Sequence, residues 1–216
     1  MQIGDQTFSA LVLLFAVGLL PLAAVTVTAF AKIAIVLGLV RNALGIQQLP
    51  PNIVIYTLAV ILAGFVAMPV LTQGYNAIIN EGITFADIEE WKLAGTLVLE
   101  PLTAFLLKHT DPQQLAFFKA SSEKIWEGSS GYVANDNSIA ILAPAFLLSE
   151  LTRAFEIGFL LYLPFLAIDI IVTTILVALG MMMVPPTTIS IPFKLLLFIF
   201  LDGWSKLVHG LILTYA

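Results

Sequence analysis

The chain of 216 residues contains no cysteine. Disulfides, thiol nucleophiles and thiolate-held metals are excluded at once. Charge is the next scarcity. Only 11% of the residues are Asp, Glu, Lys or Arg, where soluble domains carry about 25%. Histidine is limited to His109 and His209, and two scattered histidines are more often structural than ligands. No HExxH, GxSxG or glycine-rich phosphate loop occurs, and each of those chemistries needs its residues at fixed spacing. An enzyme is the least supported class, and no cofactor or metal is expected. The net charge of −5 offers no basic surface for nucleic acid. Ahead of the first apolar run the only charge is Asp5. A cleavable signal needs basic residues there, so the run from Phe8 reads as a retained helix.

What the chain has in abundance is hydrocarbon. Sixty per cent of its residues are hydrophobic and its mean hydropathy is +1.02, the composition of an integral membrane protein or of a subunit buried on most sides. The charges are unevenly placed. Residues 1–71 hold only Asp5, Lys32 and Arg41; residues 72–138 hold nine acids and four bases; residues 139–216 hold four acids and three bases.

Three regions follow. Residues 1–72 form an N-terminal hydrophobic helical hairpin, with an uncharged run over 8–31 broken by Pro21 and a second over 53–72, each long enough to span. Residues 73–138 form a polar, mainly helical segment. Within it a helix begins at Thr110 or Asp111 with Pro112 just inside, presenting Leu115, Phe118, Ile125 and Trp126, and "EGSSGYVANDN" reads as a loop. Residues 139–216 resume as hydrophobic hairpins interrupted by Pro144, Pro164, Pro185, Pro186 and Pro192, turning at the Pro185–Pro186 pair. Lys32 and Arg41 flank the short loop 41–52. By the positive-inside rule they place that loop in the cytoplasm and the acidic middle segment outside. The fold class is all-α, with Pro-broken membrane-associated helices.

Three constellations carry functional weight. Glu150, Arg153 and Glu156 recur every third residue, where helical neighbours can pair. Ionised groups facing lipid cost several kcal/mol, so these hold subunit contacts, line an aqueous path, or lie where the helix start leaves the bilayer. Asp169 stands among apolar neighbours with Lys194 as its obvious partner, although Asp169 lies 16 residues from Pro185 and Lys194 only nine. Asp202 and Lys206 are spaced for a local pair. The third is "GMMMVPP", residues 180–186. Methionine is unbranched and polarisable and conforms to irregular surfaces. At a Pro-broken tip, Met181, Met182 and Met183 either fill a gap or form a deformable apolar constriction of the kind that gates by dewetting.

Two blocks, "FAKIAIVLGLVRNALGIQQLPPN" (30–52) and the stretch from "PAFLLSELTRAFEIGFLL" to "FIFLDGW" (144–204), resemble the FliP/SctR (YscR) family of type III secretion export-apparatus proteins. RNALG-x-QQ-x-PPN (41–52), S-E-L-x-x-A-F-x-x-G-F (149–159) and GMMM-x-PP (180–186) are specific when found together in this order. The resemblance implies a pentamer with two smaller membrane subunits, SctS-like and SctT-like, assembled as a conical helical complex of the bacterial inner membrane, with much of it raised towards the periplasm. It implies passage of unfolded secretion substrates, with an export switch protein and a large export-gate protein nearby. It makes Met181–Met183 a pore gasket, with Gly180, Pro185 and Pro186 shaping the loop. Glu150, Arg153, Glu156, Asp169, Lys194 and Asp202 become interface or vestibule charges. The missing signal peptide resembles the injectisome branch. The alternatives are an ion-coupled transporter or channel that titrates Asp169, and a non-conducting membrane scaffold.

Overall fold

In the computed structural model, residues 11–126 are described apart from 12, 13, 16, 20, 24, 47, 48 and 86, together with residues 138–216. Phe8 and the loop predicted over 127–137 lie outside the described residues. Among those described, every regular element is a helix, in keeping with an all-α membrane fold. The described residues between 11 and 26 are helical and end at a bend over Val27 and Thr28. Then follow α1 (Phe30–Ala43), α2 (Asn52–Asn80), α3 (Ile88–His109), α4 (Pro112–Trp126), α5 (Ile139–Ala178), α6 (Pro186–Phe200) and α7 (Gly203–Leu213). Both α2, with 29 residues, and α5, with 40, are long and apolar enough to cross a membrane. The pair α6 and α7, bent by 61°, counts as a third span if taken together.

The prolines behave differently from the sequence expectation. Pro144 and Pro164 lie inside the unbroken α5, and Pro69, Pro101 and Pro192 lie inside α2, α3 and α6. A proline forfeits one backbone hydrogen bond. Ending the helix in apolar surroundings would instead orphan four carbonyls and four N–H groups across the break. Continuing is the smaller cost. The C-terminal region is accordingly one long helix, α5, followed by the bent pair α6 and α7.

The chain divides into two compact units. One comprises Met1–Ala31 and Gly64–Glu150. Its core gathers Leu106, Leu142 and Phe146, with Phe105, Leu115 and Ile139 packed against them. Asp87 caps α3 by accepting the Glu90 N–H at 2.9 Å, and Glu90 reaches back to the Thr84 N–H and hydroxyl. Asp111 caps α4 through the Gln113 N–H at 2.8 Å, with Pro112 as its first residue, as predicted. The inward face of α4 differs in one position: Leu115, Phe118 and Trp126 are half-buried, but Ser122 is buried and Ile125 is 73% exposed. Positions 115, 118 and 122 keep the i, i+3, i+4 stripe of a helix. Ile125 falls off it, and Ser122 tolerates burial because its hydroxyl donates to the Lys119 carbonyl.

The other unit comprises Lys32–Ala63 and Leu151–Ala216. Helix α1 supplies much of its core, with Ile33, Val36, Leu37 and Val40 buried at helical spacing. Gly158 lets α5 approach α1 closely, since a Cβ there would overlap the Leu39 side chain. Phe198 stacks edge-on against Trp204, and its ring lies where a Cβ on Gly203 would fall. Lys32 lies in the first turn of the helix that leads into the short loop. It is fully buried in α1 with its ammonium 3.6 Å from the centroid of the Tyr215 ring, a cation–π contact.

Candidate functional site

The Met-rich loop joins α5 to α6. Helix α5 closes with a Schellman arrangement. Gly180 adopts φ 73°, its N–H bonds the Val177 carbonyl at 3.0 Å, and the Met181 N–H bonds the Leu176 carbonyl at 2.9 Å. A left-handed residue at this place is what glycine supplies without strain. The loop tightens once more where the Val184 N–H meets the Met181 carbonyl at 3.2 Å. Pro185 then stands at the N-cap with φ −64°, and Pro186 opens α6 where a missing N–H costs nothing. Gly180, Pro185 and Pro186 thus fix the two ends of the loop through their backbones. Between them exposure climbs along the triplet: Met181 is 43% exposed, Met182 78% and Met183 98%.

The arms of this hairpin are pinned at their base. The Lys194 ammonium, on α6, donates to Asp169 Oδ2 of α5 at 2.6 Å and to the Ala43 carbonyl, the last of α1, at 3.0 Å. Lys194 is 4% exposed, and the Asp169 side chain is about one-third exposed. One cation neutralises a carboxylate and meets a helix-end carbonyl that the helix itself leaves unsatisfied. The sequence spacing argues against this pair only if the chain turns at the prolines. The turn is centred on Met182 instead, thirteen residues from Asp169 and twelve from Lys194, so the two sit at matching depth.

The other predicted charges are placed as follows. Glu150 is fully buried, Arg153 half-buried and Glu156 exposed. Steps of three residues fall about 60° short of a full helical turn each, which fans the three side chains across α5 from its packed face to its outer one. Asp202 adopts φ 53° between α6 and α7 and accepts the Ser205 hydroxyl at 3.0 Å. No ion pair joins it to Lys206 among the described residues, contrary to the spacing argument.

Sequence reasoning missed several supporting residues. Arg41 donates to the Pro50 carbonyl and to the Asn52 side chain, and so ties off the short loop after α1. Gly45, with φ 77°, packs under Ile191. Ser149 donates to the Ala145 carbonyl at 2.7 Å and accepts the Asp111 N–H at 2.9 Å. Arg41, Gly45, Ser149 and Gly158 all fall inside the motifs already singled out, so the signal was present and only its packing meaning was hidden.

Comparison with known proteins gives this arrangement its setting. The sequence profile of the FliP family matches residues 13–211. A probable translocation protein of Sinorhizobium fredii is 54% identical over 203 residues, covering 93% of this chain and 90% of that protein. Yop proteins translocation protein R of Yersinia pestis is 46% identical over 217 residues, 100% of this chain and 99% of its own length. Virulence protein YscR of Salmonella typhimurium is 39% identical over 219 residues, with both chains covered in full.

Proposed function

The chain belongs to the FliP family, and on that footing we propose that it lines the pore of a type III secretion export gate. Kinship with named translocation, secretion and virulence proteins makes it an export-apparatus component of the injectisome kind, and its apolar helices make it a membrane protein. The finer reading is that several copies converge on one axis and bring Met181, Met182 and Met183 together as a compliant seal for unfolded polypeptide. Other components supply the energy. The observation that carries the reading is the loop itself: three consecutive methionines with rising exposure, held between a glycine-capped helix end and a proline-started one.

In this reading the copies form a pentamer with two smaller membrane subunits of the apparatus, in a conical assembly in the bacterial inner membrane that rises towards the periplasm. An export switch protein and a large export-gate protein lie nearby. The regions 1–72 and 139–216 are its hydrophobic parts, and 73–138 is periplasmic. Glu150, Arg153 and Glu156 serve contacts between subunits or the vestibule wall. Asp169, already engaged by Lys194, serves the hairpin anchor rather than a titrating transport step.

The experiment replaces all three methionines with alanine in the assembled apparatus. Bulky thioethers exclude water from a narrow apolar constriction, and methyl groups leave it wet. Assembly is expected to persist while ion conductance across the inner membrane rises. A variant that neither leaks nor alters secretion removes the seal from the proposal.

A further inference from the structure

Two helices of the chain end on a left-handed glycine. Gly180 closes α5, and Gly45 closes α1, where its N–H bonds the Asn42 carbonyl at 3.0 Å. Their surroundings differ. A Cβ at Gly180 would meet nothing within 4 Å, so the backbone alone accounts for glycine there. A Cβ at Gly45 would fall 3.0 Å from Cγ1 of Ile191 and 3.5 Å from its Cδ1. Helix α6 rests on the end of α1 at this point, and any side chain at position 45 displaces Ile191 or the helix that carries it.

Three residues further along α6, Lys194 donates to the Ala43 carbonyl at 3.0 Å. The two contacts lie about 4.5 Å apart along the axis, at neighbouring positions of one helix face. Two points on one face fix both the height of α6 and its rotation. The start of α6 is not held by a cap, since Pro185 makes no side-chain hydrogen bond there. The buried stripe of α6 is Ser190, Lys194 and Phe198, whereas Phe193, Leu196 and Ile199 are exposed. Ile191 stands five residues, about 7.5 Å, from Pro186. The Met loop therefore begins about one and a half turns beyond this seat.

We propose that the turn from Ala43 to Gly45 sets the position of the Met loop, and that Gly45 is a positioning residue acting on Met182 through Ile191. The consequence for conductance rests on the seal reading; the consequence for loop position does not.

The chain has no cysteine, so cysteines introduced at Ile53 and Met182 carry nitroxide labels without background. Both positions are exposed and belong to the second unit. The test measures the distance between them by pulsed electron paramagnetic resonance in the assembled apparatus, diluted with unlabelled copies. Gly45→Asn is the main variant, because asparagine tolerates the left-handed backbone and adds bulk against Ile191. The distance is expected to shift by about 1–2 Å, the scale of packed-helix displacements, and conductance across the inner membrane to rise. Ile191→Ala in the same chain should restore both. Gly82→Asn, at a left-handed glycine with open space around it, should leave the distance unchanged. An unshifted distance in Gly45→Asn overturns the proposal. So does a shift that Ile191→Ala fails to reverse, or one that Gly82→Asn reproduces. If Gly45→Asn does not assemble, Ile191→Phe enlarges the same contact from α6, and an unshifted distance there overturns the proposal equally. A reversible shift with flat conductance upholds the seat and removes the seal.

Discussion

The tip and the base of the α5–α6 hairpin are built on opposite principles. At the base, Lys194 is almost wholly buried and satisfied by a carboxylate and a carbonyl from two other helices. At the tip, Met183 is 98% exposed. The base is polar chemistry kept away from solvent, and the tip is apolar chemistry presented outward. The difference separates two demands. A loop proposed to yield to varied cargo gains from soft side chains, but its position has to be set by something that does not yield. The anchor and the two backbone caps, Met181 among them, supply that fixity and leave the Met182 and Met183 side chains exposed.

Substitutions at base and tip can break or sharpen this contrast. The largest effect is expected from Lys194→Met. It strands the Asp169 carboxylate and the Ala43 carbonyl and should lower stability by about 3 kcal/mol, read as an earlier midpoint in detergent-denaturant unfolding. Gly158→Ala should cost about 1–2 kcal/mol by overpacking against Leu39, and Leu39→Ala should restore part of that loss in the double variant. Gly180→Ala meets no atoms within 4 Å, so its cost is the left-handed backbone alone, about 1 kcal/mol. Met183→Ala should change stability by less than about 0.5 kcal/mol, with any effect confined to conductance. A destabilisation at Met183 comparable to that at Lys194 would mean the triplet is packing material and the contrast is false.

Much of the fold was legible because hydropathy reads long helices directly. The apolar run at 53–72 marks α2, and Asp111 with Pro112 marks the start of α4. The helix continuity through Pro144 and Pro164 was not legible. The rule that proline ends a helix assumes water is waiting for the orphaned groups, and in α5 the alternative to continuing is worse. The Asp169–Lys194 pair was visible as a pair of types, but its register depended on where the chain turns. That centre is set by Gly180 as much as by the prolines. Lys32 could not be read at all, since its ring partner, Tyr215, lies at the other end of the chain. The methionine loop was legible as a feature. Its rising exposure and the way each end is capped came only from the geometry.

The length of α5 has a consequence for depth. Forty helical residues have a contour length of about 60 Å, twice the hydrocarbon thickness of about 30 Å. If Asp169 sits at the middle of that layer, Arg153 lies sixteen residues back, about 24 Å along the axis. That is about 9 Å past the edge of the oil, where a charged side chain no longer faces acyl chains. Between Arg153 and Asp169 the helix works as a dipstick: wherever one of the two charged marks is found, the depth of the other follows.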